Sequence, residues 1–237
     1  MIYTTQKILK ILKSKSKSNK KNLEGMKRFG ISFRKAFGVP IPFLRSLAKM
    51  IGKNHKLALK LWECGYHETK LLAAFVDEPE KVTEKQMDKW VGSFESWADC
   101  DTVCGSLLDK TPFAYKKALE YTKNKKEFIK RTGFTMFAWL AVHDKKADDK
   151  VFIAFLSIIE RESTDERNFV KKAVNWALRQ IGKRNENLRK YAIKKAKEIL
   201  KQNSKSAQWI AKNALRELAG SNSNKIDGRF KKCDFSY

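Results

Sequence analysis

The helical pattern of the chain is clearest at residues 165–185, which read DERNFVKKAVNWALRQIGKRN. The apolar residues of this stretch recur every three or four positions, a spacing that places them on one face of an α-helix. They are Val170, Ala173, Val174, Ala177, Leu178 and Ile181. Gly182 comes next and is predicted to end the helix, because glycine is favoured just past a helix C-terminus.

The same periodicity recurs on both sides of this segment. Helices are predicted at residues 43–61, 66–76, 84–93, 98–108, 112–122, 126–142, 149–161, 166–181, 186–200 and 205–218. No segment alternates apolar and polar residues as a strand does. Successive helices pair into units of roughly 40 residues, a length typical of HEAT repeats. The sequence therefore predicts an all-α, HEAT-like helical-repeat solenoid with a concave basic face suited to a long, regular partner.

The two ends of the chain differ in composition from this helical region. Residues 1–28 are rich in lysine and serine, and residues 8–12 can form a short amphipathic helix; a disordered tail is the alternative. We therefore expect a basic arm at 1–28, a HEAT-like domain at 29–220 and a polar C-terminal tail at 221–237.

The charge balance indicates an anionic partner. Lysine and arginine number 51 against 26 aspartates and glutamates, a formal net charge of +25. Nucleic acid is the commonest partner for such a surplus and an anionic membrane surface the second. A lysine-rich proteome that keeps its proteins soluble is the plain alternative. A scaffold for protein partners would not explain the charge.

Membrane insertion and export are not predicted. No run of 18 apolar residues occurs, and the N-terminus has neither an apolar signal core nor a small-residue cleavage site. We expect a cytoplasmic monomer that associates with the nucleoid through DNA.

The cysteines raise the question of a zinc site. Cys64 and His67, three residues apart, together with Cys100 and Cys104, four residues apart, could supply four ligands. Their spacing suits a compact zinc site poorly, and buried inert thiols are the preferred interpretation. We therefore expect neither a metal nor a cofactor.

Three helices carry polar or aromatic residues away from their apolar faces. Trp176 shares a basic stripe with Lys172, Arg179 and Lys183, where the alternative to a functional role is packing against a neighbouring helix.

Trp97, Asp101 and Gly105 follow one another at i, i+4 and i+8. This spacing places a carboxylate beside an aromatic at the edge of a groove, and Gly105 leaves room for a closely approaching backbone. The alternative for Asp101 is an ordinary surface aspartate. Arg131 lies nearly opposite the apolar side of its helix, so an exposed arginine able to grip a phosphate is expected there.

Five segments together resemble the AlkD-type DNA alkylation repair family over residues 29–218. They are GVPIPFLRSLAK, LWECGYHETKLLA, ESWADCDTVC, FIKRTGFTMFAWLAV and DERNFVKKAVNWALRQIGKRN. The resemblance implies a HEAT-like superhelix that cradles duplex DNA on its concave face and releases N3- and N7-alkylpurines without a base pocket.

The resemblance also implies roles for individual residues. Asp101 matches the family's catalytic aspartate, Trp97 and Trp176 match its two active-site tryptophans, and Arg131 matches the arginine between them. Lys172, Arg179 and Lys183 are expected to bind DNA. The family uses a further aromatic near its N-terminus, for which Phe29 is a candidate. A non-catalytic HEAT-repeat protein that binds distorted or branched DNA is the alternative function.

Overall fold

The computed structural model describes residues 2–16 and 20–220 of the chain. These residues form thirteen α-helices and no strand. The helices are α1 Thr5–Ser16, α2 Lys20–Arg28, α3 Ile41–Ile51, α4 His55–Glu63, α5 His67–Val76, α6 Glu84–Val91, α7 Trp97–Ser106, α8 Ala114–Thr122, α9 Glu127–His143, α10 Asp149–Glu162, α11 Asn168–Arg184, α12 Glu186–Leu200 and α13 Lys205–Gly220. The all-α prediction is confirmed.

One predicted helix is two helices in the structure. The expected helix at 43–61 stops at Ile51, because Gly52 adopts a φ of 75° that continues no right-handed helix. Asn54 then caps α4 by accepting a hydrogen bond from the backbone N–H of Leu57 at 2.9 Å. The periodicity runs through this break because both helices bury apolar residues with similar spacing.

The helices form two layers. Helices α3, α5, α7, α9, α11 and α13 contact one another in that order and are called the site layer below. Helices α4, α8, α10 and α12 pack against this row and are called the covering layer. The apolar core lies between the two layers, so each site-layer helix keeps one polar side directed away from the core.

Neighbouring site-layer helices are parallel and keep a constant register. Asn175 in α11 contacts Asn213 in α13, and one turn further on Arg179 contacts Glu217, both 38 residues away in the chain. Arg131 in α9 likewise reaches Phe169 in α11 across 38 residues. The predicted repeat of roughly 40 residues is therefore confirmed over these helices.

Helix α1, within the segment expected to be a basic arm, is part of the folded core. Ile8 and Leu12 are fully buried, and α1 packs near α4. These apolar positions, spaced four apart, give α1 a face to bury even though its other residues are mostly lysine and serine. Residues 17–19 and the predicted tail at 221–237 lie outside the described residues.

Two glycines mark where helices approach most closely. Gly182 lies inside α11 rather than ending it, since a Cβ there would meet Leu218 of α13 at 2.6 Å. Gly133 in α9 faces the backbone of α8, and a Cβ there would lie 2.5 Å from the amide nitrogen of Thr122. Both positions exclude larger residues because a neighbouring helix occupies the space.

We expect Gly133→Ala to lower the free energy of unfolding by about 1–3 kcal/mol, the usual cost of overpacking. This loss should outweigh the gain in helix propensity of about 1 kcal/mol. Gly25→Ala in α2 is the matched control, because nothing lies within 4 Å of its Cβ position, and it should be neutral or stabilising. Urea denaturation followed by circular dichroism measures both, and an unchanged Gly133→Ala would contradict the packing described here.

Candidate functional site

Asp101 lies at the centre of the polar side of the site layer, where an ion pair joins α7 to α9. Its carboxylate accepts hydrogen bonds from Arg131 Nη2 at 2.7 and 2.9 Å and from Nε at 3.1 Å. Thr135 Oγ1, one turn along α9, donates to the same carboxylate at 3.2 Å. Asp101 is only 3% exposed. The alternative of an ordinary surface aspartate is therefore wrong, because Asp101 is buried and has a fixed orientation.

Arg131 is buried as well, and the expectation of an exposed arginine is wrong. It is 1% exposed, and its Nη1 donates to the backbone oxygen of Phe169 in α11 at 2.7 Å. Its helix is flanked by α7 and α11 within the site layer, so the side of α9 opposite the core is partly covered. A helical wheel of α9 alone contains no information about these neighbours. Arg131 thus ties three consecutive helices together.

Trp139 is a site residue that sequence reasoning missed. Its indole N–H donates to the backbone oxygen of Asp101 at 3.0 Å, and its ring meets the Trp176 ring edge to face at 5.4 Å. Gly105 provides the space: a Cβ there would overlap the Trp139 ring. The expected backbone approach at Gly105 is instead the approach of this indole. Its place at i+8 from Arg131 was the available sequence signal.

Trp176 is half-buried and packs against the core as well as against Trp139. The packing against a neighbouring helix that was the alternative interpretation is therefore present, while the indole remains accessible on one side and its functional role stays a prediction. The structure brings Trp176 and Asp101 into one cluster through Trp139.

Trp97 begins α7 one turn before Asp101 and is half-exposed. Its indole N–H donates to the backbone oxygen of Phe29 at 3.0 Å. Phe29 itself is 55% exposed, and the guanidinium of Arg28 lies 5.3 Å from its ring centre. The connection after α2 therefore brings a third aromatic to the edge of the site. A cavity of about 300 Å³ lies beside it, lined by Lys27, Gly30, Ile31, Ser32 and Phe33.

The first turn of α7 is fixed by buried polar contacts. Ser96 caps the helix by accepting from the backbone N–H of Asp99 at 3.3 Å, and Asp99 bonds His67 Nδ1 of α5 at 2.9 Å. Burial alone would lower the pKa of His67, but the hydrogen bond and the charge of Asp99 outweigh it and raise the pKa. These contacts hold the helix start that carries Trp97 and Asp101.

The predicted DNA-binding stripe on α11 is partly occupied by contacts within the protein. Arg179 and Lys183 both pair with Glu217 of α13, the latter at 2.7 Å, and Lys172 is half-exposed. The stripe faces the next helix of the site layer, which places these cations beside a carboxylate. Lys183 and Arg179 keep 42% and 28% of their side-chain surface exposed, so they stay accessible at the edge of the layer.

The three cysteines within the described residues are Cys64, Cys100 and Cys104. Cys100 and Cys104 are fully buried, and burial raises the pKa of both thiols, while Cys64 is only partly buried. Among residues 2–16 and 20–220, no three His, Cys, Asp or Glu side chains are grouped as metal ligands would be. Within the same ranges, every helix is too short or too polar to cross a membrane.

Comparison with solved structures places this architecture among the HEAT-like repeat folds. The chain matches, with a TM-score of 0.75, a structure described as a new family of proteins related to the HEAT-like repeat DNA glycosylases with affinity for branched DNA structures. The alignment covers 92% of this chain and 97% of the other at 19% identity, which establishes similarity of fold.

Residues 12–218 match the family described as DNA alkylation repair enzyme, and the chain belongs to that family. The match begins within α1, in agreement with the burial of that helix. An uncharacterized protein of Listeria innocua serovar 6a is 24% identical over 166 residues, 69% of this chain and 72% of its own length. An uncharacterized protein of Listeria monocytogenes serovar 1/2a is 26% identical over 105 residues, 43% and 47% of the two chains.

We expect Arg131→Met to lower the free energy of unfolding by about 3–5 kcal/mol, because it leaves Asp101 buried without its cationic partner. Asp101→Asn and the double variant complete a mutant cycle. The double variant should lose less stability than the sum of the two single losses, because it removes both charges and leaves neither buried without a partner. Strictly additive losses in urea denaturation would contradict a coupled pair.

Proposed function

We propose that this protein is a DNA glycosylase that excises cationic N3- or N7-alkylated purines from duplex DNA, as a step of base excision repair. The observation that carries the proposal is the buried Asp101–Arg131 pair, which has Trp97 one turn before Asp101 on α7 and Trp176 linked to Asp101 through Trp139. The family supports this function, and the net charge of +25 fits a duplex partner.

The proposed reaction needs little from the protein at the leaving group. Alkylation at N3 or N7 leaves the purine positively charged, so breaking the bond between C1′ and the base nitrogen releases a neutral base without a general acid. The deoxyribose keeps the positive charge in a transition state of oxocarbenium character. Water then adds to C1′ and loses a proton, which completes the hydrolysis.

Asp101 is proposed to stabilise this cation and to orient the water. A carboxylate acts best there if its direction is fixed before the substrate arrives. Three hydrogen bonds from Arg131 and one from Thr135 provide this orientation. Arg131 is therefore assigned a positioning role for Asp101. Its expected contact with a phosphate requires that the buried guanidinium become accessible when DNA binds.

The tryptophans are proposed to face the sugar and its charge. Indole rings attract cations over their faces, an effect that strengthens when water is excluded. Trp97 lies one turn before Asp101 on α7, and Trp176 of α11 packs against Trp139, whose indole N–H donates to the backbone oxygen of Asp101. Phe29 lies next to Trp97 and is proposed as the further aromatic.

One observation favours a second candidate, a DNA-binding protein without glycosylase activity. Asp101 is 3% exposed and both its oxygens are already bonded, so a substrate must displace a contact to reach them. Such a protein would recognise distorted or branched duplexes with the same layer. Excision assays separate the two candidates.

We expect Asp101→Asn to slow single-turnover release of N7-methylguanine by roughly 10²–10⁴, the usual worth of a positioned acid–base group. DNA affinity should hold or rise, because a negative charge is removed. Asp99→Asn is a poor control, since Asp99 is buried against His67. Asp77→Asn is a better matched control. Asp77 is also a fully buried aspartate, but it pairs with His55 of α4 and not with the residues around Asp101.

Full activity in Asp101→Asn would remove Asp101 from the mechanism. No excision by the wild type, with DNA binding intact, would favour the second candidate.

We also expect affinity for unmodified duplex DNA to fall steeply with salt, with a slope of about −0.9 per neutralised phosphate in a plot of log K against log salt. Replacing Lys10, Lys13, Lys20 and Lys21 by glutamine should make this slope shallower and leave the single-turnover excision rate unchanged. Deleting the segment would be a poor test, because α1 contributes to the core. A collapsed rate in the folded quadruple variant would show that these helices take part in the chemistry.

A further inference from the structure

An exposed tryptophan lies on the last described helix, outside the cluster around Asp101. Trp209 in α13 is 40% exposed, and the ammonium of Lys171 in α11 lies 5.2 Å from the centre of its ring. Most other apolar residues of α13, among them Ile210, Ala214 and Leu218, are buried, and the helix packs against α11 and α12. Helix α13 thus presents an aromatic face to water beside a cation of the neighbouring helix.

The residues around Trp209 on the same stripe of α13 are basic. Lys205, Lys212 and Arg216 stand at i−4, i+3 and i+7 from it, and all three are exposed. None of them pairs with a carboxylate of residues 2–16 or 20–220. Glu217 is the one acidic residue of α13, and Arg179 and Lys183 already occupy it. The stripe thus combines an aromatic face with uncompensated positive charge.

We propose that Trp209 is a stacking platform for an unpaired nucleobase of a bound DNA. A positively charged groove with an aromatic face is the arrangement that binds single-stranded nucleic acid, since every base has a π-face and every nucleotide a phosphate. A paired base within a duplex is already stacked on both sides and has no face to offer. The ligand is therefore a DNA with unpaired nucleotides next to a duplex.

The position of Trp209 sets where those nucleotides lie. Helix α13 is three steps from α7 along the site layer, and neighbouring helices are about 8–10 Å apart, giving about 24–30 Å. At 3.4 Å per base pair, this corresponds to about 7–9 base pairs from the step opposite Asp101. This inference rests on one part of the proposed function, the binding of a duplex along the site layer, and does not depend on excision.

The test compares a blunt duplex with the same duplex carrying a three-nucleotide single-stranded extension at its 5′ or 3′ end. The DNA is unmodified, so excision plays no part. Wild type should prefer the extension of one polarity. Trp209→Ala should bind that DNA about 5- to 150-fold more weakly, which corresponds to the stacking of one base, and bind the blunt duplex as wild type does.

Three further variants sharpen the comparison. Trp209→Phe should keep part of the preference, which guards against a folding effect of the alanine variant. Tyr191→Ala is the matched control, because Tyr191 is 44% exposed beside Lys190 and Lys194 but lies on α12 of the covering layer. It should change neither affinity. Lys212→Gln should weaken binding of the DNA with the extension, because it removes a phosphate contact beside the stacked base.

Stacking is also visible directly with 2-aminopurine in the extension. Its fluorescence should be quenched at saturating wild type and stay bright with Trp209→Ala. An unquenched probe with wild type, or equal preference in wild type and Trp209→Ala, would overturn this inference and leave the glycosylase proposal standing. If the wild type shows no excision but still prefers the DNA with the extension, the glycosylase proposal fails and the role of Trp209 in stacking stands.

Discussion

The ion pair between Asp101 and Arg131 is the interaction on which the site depends. It joins α7 to α9, and the same arginine reaches the backbone of Phe169 in α11. Two charges buried at 3% and 1% exposure are costly to desolvate, so the pair persists only because nearly every polar atom is matched. The charges therefore fix the spacing and register of three helices at the place where the aromatic residues converge.

The site layer extends this local contact into a surface: Asp101 and Arg131 lie 30 residues apart, and an offset of 38 residues recurs between α9 and α11 and between α11 and α13. Because neighbouring helices are parallel and in register, residues four apart on one helix meet residues four apart on the next. In α7 and α9, Asp101 meets Arg131 and Thr135, and Gly105, one turn further along α7, lies against Trp139. Such a ladder gives a row of aligned polar and aromatic side chains, which suits a partner with a regular repeat of its own.

Burial fixes the orientation of the Asp101 carboxylate and also makes it inaccessible. A carboxylate fixed by a bidentate guanidinium needs no reorganisation to meet a developing cation, which favours transition-state stabilisation. The same bonds keep it from solvent and from a substrate. Catalysis by this arrangement requires that DNA binding expose the carboxylate without breaking its orientation, whereas a purely binding protein needs no such change.

The sequence by itself determined the all-α class, the repeat of roughly 40 residues and the identity of the helix carrying Trp176, because apolar periodicity is a local property of each helix. It also placed Asp101 beside Trp97, since i and i+4 share a helix face. Only the tertiary structure decided that Arg131 is buried, that Gly182 packs against Leu218 inside α11, that Trp139 fills the space over Gly105, and that α1 belongs to the core. Each of these depends on which helix lies alongside, and a wheel drawn for one helix holds no information about its neighbours.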